Sequence, residues 1–252
     1  MHNMDSLTAD LASLGIKNDD IITVHTSLKS IGELDTEKMT GADLVLDSLR
    51  YAVRDGLLLV PTHTYDEVQN TLHFDIRRSV PCIGVMPCVA AKRSNAAYDK
   101  GDKTVIRSFH PSHSLTAFGR DAREFTACDA DTCTAIPMNG CYANILRHSG
   151  KILLIGVDLR RCTFIHLIDE LRSSDIPFEY RYITATDYDG IVHPRKWCPT
   201  RGASYKYEKY RPCLDEADAI RYGKFGDAAA MLVDSVKCFD AIMKFEDEKN
   251  KQ

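Results

Sequence analysis

The sequence predicts an α/β protein, with a mostly parallel central sheet flanked by helices as an α/β/α sandwich and a late antiparallel hairpin. Three observations predict it. Short apolar runs at 21–25, 57–61 and 151–157 alternate with segments of helical periodicity. The runs are mostly apolar rather than alternating, as in strands covered on both faces. Asp189-Gly190 separates two stretches of strand character within 180–197. No repeat or linker divides the 252 residues, so one domain is expected over 1–252, with an insertion or hairpin around 180–212 near one rim.

In chain order, Ser6 is expected to cap a helix over 7–14 that stops at Gly15. IITVH (21–25) is a strand. Thr40 or Gly41 opens a helix through 42–53, with apolar residues every third or fourth position. Asp55-Gly56 turns into the strand LLLVP (57–61), closed by its proline. Residues 82–93 read as a helix with Pro87 near the first turn, where a missing N–H costs little. SLTAF (114–118) is a strand. CYANILRHSG (141–150) is a helix ended by Gly150, and KILLIGV (151–157) the strongest buried strand. Residues 162–172 form a helix with Phe164, Ile165, Ile168 and Leu171 at helical spacing. Residues 227–248 read as one long amphipathic helix.

Lys and Arg total 32 against 36 Asp and Glu, a net charge of −4, which leaves no basic footprint for nucleic acid. No apolar run reaches the ~18 residues of a membrane span, and the N-terminus lacks the basic-then-apolar pattern of a signal peptide. Nine cysteines, an odd number without any Cys-x-x-Cys, fit a reduced cytoplasmic protein in which most are small buried hydrophobes. A monomer or homodimer is expected.

Polar clusters lie beside the expected strands, three of them after a strand's end, where open α/β sheets bind ligands, and RSFHPSHS leading into one. They are VHTSLKSIG (24–32), VPTHTYDE (60–67), RSFHPSHS (107–114) and VDLRRCTFIHLIDE (157–170), and each carries histidine: His25, His63, His110 with His113, and His166. Any one of these is as readily a hydrogen-bonding corner as a functional group. Thr26, Ser27 and Ser30 suit either capping or a phosphate or amide of a ligand. A metal is the rival reading, since two imidazoles of His-Pro-Ser-His could be completed by His63, His166 or an aspartate. The spacing matches neither His-Glu-x-x-His nor a strand His-x-His pair.

VHTSLKSIG, LLLVPTHTY, IRSFHPSHSLTAFG, GVDLRRCTFIHLIDE and GKFGDAAAMLVDS, in this order, resemble the aminoglycoside 3-N-acetyltransferase family. The likeness runs from about 5 to 240 and is least over 65–80 and 180–212. The resemblance implies an acetyl-CoA-dependent N-acetyltransferase with a fold distinct from the GNAT superfamily, using no metal and acting on the 3-amino group of an aminoglycoside's deoxystreptamine ring. It implies coenzyme contacts at His25, Thr26, Ser27, Leu28, Lys29, Ser30 and Ile31, at Pro61, Thr62, His63 and Thr64, and at Gly84 and Val85. Arg107, Ser108 and Ser114 join that set. The catalytic base falls on His113, with His110 as alternate, oriented by Asp169 or Glu170. Asp66, Glu67, Asp158 and His166 are the acceptor-binding candidates. The sequence departs from the family pattern at Cys162, Thr163 and Phe164, where Asn-Thr-Ser is usual, at Asp169, where Glu is common, and around Gly84, the one glycine left of a Gly-rich turn. The alternatives are a metal-dependent hydrolase and a CoA-binding member with another amine substrate.

Overall fold

Seven strands form the central sheet of the computed structural model, which describes residues 1–131, 134–173 and 177–249. They are β1 (Ile21–Thr26), β2 (Leu57–Pro61), β4 (Val105–Arg107), β5 (Leu115–Phe118), β6 (Lys151–Ile155), β9 (Ile220–Phe225) and β10 (Ala228–Asp234), in the order β4-β5-β2-β1-β6-β10-β9. β1 pairs parallel with β2 and β6, while β5 and β10 pair antiparallel with both their neighbours. β4, β2, β1, β6 and β9 therefore point one way, and β5 and β10 the other. β3 (His73–Asp75), β7 (Arg181–Thr186) and β8 (Val192–Trp197) make a second, three-stranded sheet, with the expected hairpin as β7–β8.

Alternate side chains of each strand feed opposite cores. Ile22, Val24, Leu58, Val60, Leu153 and Ile155 pack with α1 (Met4–Ser13), α2 (Gly41–Ala52) and α4 (Val85–Asp99). Leu57, Leu59, Ile152, Leu154, Met231 and Val233 pack with α5 (Ala122–Thr126), α6 (Cys141–Arg147), α7 (Ile165–Arg172), α8 (Arg211–Glu216) and α9 (Ser235–Lys249). Both faces are thus covered, and the α/β/α sandwich holds. The smaller sheet closes on Val68 of α3 (Tyr65–Thr71), with Phe74, Ile183 and Trp197.

Two expectations change. α1 starts at Met4 and is capped by Asn3, not Ser6; the Ser6 N–H donates to the Asn3 side chain at 3.0 Å, and Ser6 Oγ accepts the Asn3 N–H at 3.0 Å. The expected helix over 227–248 is two elements, because Ala228–Asp234 is β10, paired to β6 and β9, and only Ser235–Lys249 is helical. An alanine-rich start favours helix locally, but the slot beside buried β6 overrides it. No described helix is long and apolar enough to cross a membrane. Cys82, Cys88, Cys128, Cys141, Cys162, Cys213 and Cys238 are not in disulfides, and Cys133 lies outside the described residues.

Candidate active site

The parallel strands β1, β2 and β6 end on one side of the sheet, and a cleft of about 680 Å³ lies beyond those ends. Thr26 ends β1 and Ser27 follows it, His63 follows β2, and Gly156 and Val157 follow β6; all line it. His113 arrives from the opposite direction. Because β5 runs antiparallel to β2 with Pro61 opposite Leu115, the turn before β5 lies beside the loop after β2. The Thr62 N–H donates to the Ser114 carbonyl at 2.8 Å and that of Thr64 to the Ser112 carbonyl at 2.9 Å. The His63 and His113 rings thus meet with centroids 4.6 Å apart, and Tyr65 stacks on His113.

The segment 107–114 is saturated with hydrogen bonds. Arg107, only 2 % exposed, donates to the carbonyls of Ile76, Ser79 and Thr62 at 3.0 Å each and to Ser114 Oγ at 3.1 Å. Burial lowers its pKa to about 10. Ser108 Oγ accepts the Leu115 N–H. His110 is fixed at both nitrogens. Its Nδ1 accepts the N–H groups of Ser112 and His113 at 3.2 and 2.9 Å, so its Nε2 carries the proton and donates to the Thr134 carbonyl at 2.8 Å. His113 keeps its ring in the cleft. Its Nδ1 lies 2.9 Å from Ser112 Oγ, which also accepts the Trp197 indole N–H at 2.7 Å.

A second wall comes from α7, through His166, and from the short 3-10 helix Ser204–Tyr210, through Ser204. Tyr207 donates its hydroxyl proton to Asp169 Oδ2, and its oxygen lies 2.7 Å from His166 Nδ1. With its own proton committed, the phenol oxygen accepts from His166, so Nδ1 is the protonated nitrogen and Nε2 holds a lone pair. Gly202 covers this group: a Cβ there would sit 1.8 Å from Asp169 Oδ2 and 2.6 Å from His166 Nδ1.

Burial keeps these imidazoles neutral. It lowers His25, with a smaller contribution from Arg161, and His166, each to about 4, and pushes His63 and His113 well below 6.5, with the other histidines adding to the effect. Burial also raises Asp169 and Glu170.

The structure brings His25, Thr26, Ser27, Pro61, His63, His113 and His166 together in the cleft. Thr62, Thr64, Arg107, Ser108 and Ser114 are buried behind it as framework. Leu28, Lys29 and Ser30 form a 3-10 turn outside the lining, and Ile31 is wholly in the core. At the start of α4 the lining residues are Cys82, Ile83, Met86 and Pro87, while Gly84 and Val85 face solvent. Asp169 serves His166 through Tyr207, whereas the group bonded to His113 Nδ1 is Ser112. Glu170 is buried, with the Ile136 backbone beside its carboxylate. Asp66 is exposed, and Glu67 accepts from Ser79 Oγ. Asp158 lines an adjoining cavity and pairs with Arg160 at 2.6 Å. Sequence reasoning missed Tyr65, Ser112, Tyr142, Trp197, Gly202 and Tyr207, and the cations Arg160 and Arg161. Tyr142, whose hydroxyl is 2.7 Å from His63 Nε2, is one of many tyrosines, and nothing local to the sequence marks it. The one tryptophan was the available signal.

The aminoglycoside 3-N-acetyltransferase family model matches residues 23–246. Aminoglycoside N(3)-acetyltransferase III of Serratia marcescens is 28% identical, over 68% of this chain and 65% of its own length. The match therefore spans just under two thirds of that relative. Aminoglycoside N(3)-acetyltransferase IX of Micromonospora chalcea is 26% identical, covering 96% of this chain and 92% of the relative. Among solved structures, AAC-IIIb in binary complex with CoASH superposes with a TM-score of 0.79 at 23% identity, covering 98% of this chain and 97% of the other. With nearly the whole central sheet and both walls of the cleft inside the matched span, the chain belongs to the aminoglycoside 3-N-acetyltransferase family.

Proposed function

We propose that the protein transfers the acetyl group of acetyl-CoA to an amino group of an aminoglycoside, the 3-amino group of the deoxystreptamine ring, with cleft histidines handling the proton. The observation that carries this reading is the Asp169–Tyr207–His166 chain ending in the same cleft as His113 at the strand ends. Family membership and the CoASH complex of AAC-IIIb support the coenzyme.

An ammonium has no lone pair, so it loses a proton before its nitrogen bonds to the thioester carbon. The family resemblance gives that proton to His113; the hydrogen bonding favours His166, whose Nε2 is unprotonated while Nδ1–H is held by Tyr207. The Trp197 indole occupies one lone pair of Ser112 Oγ, which leaves the serine's proton for His113 Nδ1. His113 then presents Nε2–H, a donor for the carbonyl oxygen as it gains charge. The nitrogen of the tetrahedral adduct gives up a second proton; as the adduct collapses the carbon–sulfur bond breaks, the amide forms and coenzyme A leaves as thiolate, which takes up one of the two protons while the other passes to solvent. Arg161, at the cleft and the adjoining cavity, suits the coenzyme's phosphates.

The test is thiol release from acetyl-CoA with kanamycin- and gentamicin-type acceptors, repeated with non-antibiotic amines. Turnover with the antibiotics supports the reading. Thermal stabilisation by CoA without transfer to any amine overturns it in favour of a coenzyme-binding protein.

A further inference from the structure

We propose that Cys128, Asp129 and Cys141 form a binding site for a thiophilic divalent cation, zinc first, outside the cleft. The three ligand atoms lie within 4.8 Å of one another, the one such group among the described residues. None of them lines the cleft.

The spacing suits the ion. Cys128 Sγ and Cys141 Sγ are 3.7 Å apart. A tetrahedral zinc with Zn–S bonds of about 2.3 Å holds two sulfurs about 3.8 Å apart, so this pair needs almost no movement. Asp129 is 2 % exposed, and the Cys141 N–H, donating to its Oδ1 at 2.9 Å, fixes its carboxylate beside the sulfurs. An oriented carboxylate next to two thiols supplies three ligands. The Asn144 amide donates to Cys128 Sγ at 3.3 Å, the contact an outer partner makes to a metal-bound sulfur. Cys128 is only partly buried, which gives an ion an entrance and a water the fourth position.

Uptake exchanges two protons for one dication: both S–H bonds break, two metal–sulfur bonds form, and the protons go to solvent. Cys128 sits in the 3-10 segment Ala127–Asp131, and Cys141 is the first residue of α6. The ion would clamp these together one residue before Tyr142, whose hydroxyl holds His63. Its role is to brace the wall behind the cleft, and no step of the acetyl transfer passes through it.

The test titrates reduced, chelator-stripped full-length protein with cadmium and zinc. The expected result is one equivalent of cadmium with a thiolate-to-metal absorption band, and a zinc-dependent rise in melting temperature. C128S and C141S should each weaken uptake by about 10-fold or more, and D129N by less. If C141S does not fold, C128S at its half-exposed position and D129N still decide. Absence of uptake by the parent protein overturns the proposal, as does uptake that C128S and D129N leave unchanged. Mass spectrometry showing a Cys128–Cys141 disulfide in a protein that binds no ion when reduced overturns it as well, by making the pair a redox couple.

Discussion

The two walls of the cleft both present a histidine, yet they are built differently. The 107–114 wall is anchored to backbone: Arg107 binds three carbonyls, and His110, three residues before His113, is held at both nitrogens by main-chain groups. The α7 wall is a chain of side chains, carboxylate to phenol to imidazole. The first arrangement fixes a position. The second fixes a protonation state, because each donor in it has one acceptor. Two histidines in a single turn therefore do different work: His110 holds the corner, and only His113 keeps its ring in the cleft.

Five measurements break or sharpen this contrast. His166→Ala should lower kcat by about 10²–10⁴-fold with the fold intact, and His113→Ala by a similar or smaller factor. If H113A alone abolishes turnover while H166A keeps it, the base belongs to the first wall. Arg107→Met should leave buried carbonyls unpaired and cost about 3 kcal/mol or more of stability, read from the urea midpoint. An equal loss of stability in Tyr207→Phe would erase the distinction between framework and relay. Tyr207→Phe is instead expected to reduce kcat about tenfold with KM little changed, and Gly202→Ala, whose methyl would collide with Asp169, to behave alike.

Acid stability is the fourth measurement. His25 and His166 have folded pKa values near 4, below the ordinary 6.5, so the unfolded chain binds more protons between those values. Stability is full above about pH 6.5 and is lost as pH falls from there towards 4. Urea midpoints at pH 7 and pH 5 should therefore differ, with pH 5 the lower, and replacing His25 by an apolar residue should shrink the difference. The smallest effect is at the far end of the molecule. Asn3→Ala should cost about 1 kcal/mol through the lost cap, more than Ser6→Ala, although serine is the residue that the pattern alone selects.

The central strands were legible because Ile21–Thr26, Leu57–Pro61 and Lys151–Ile155 are apolar runs with no helical period. The His-Pro-Ser-His turn was legible as a pair of imidazoles leading into a strand, and His113 of that pair lines the cleft. β10 was not, since Ala228, Ala229 and Ala230 carry helical propensity and only their register with β6 makes them a strand. His166 and Asp169, three apart on one helix, were readable as neighbours. Their connection through Tyr207 was not, because that residue lies 41 positions beyond His166 and the contact exists only in three dimensions.

Trp197, Gly202 and Tyr207 all lie within residues 180–212, one of the two stretches least like the family pattern, which contributes no strand to the seven-stranded sheet. Side chains that fix the imidazoles thus come both from the scaffold, as Ser112, Tyr142 and Asp169 do, and from this excursion, as Trp197 and Tyr207 do. A descendant could exchange this one excursion, and with it Trp197, Gly202 and Tyr207, without disturbing a single rung of the ladder beneath.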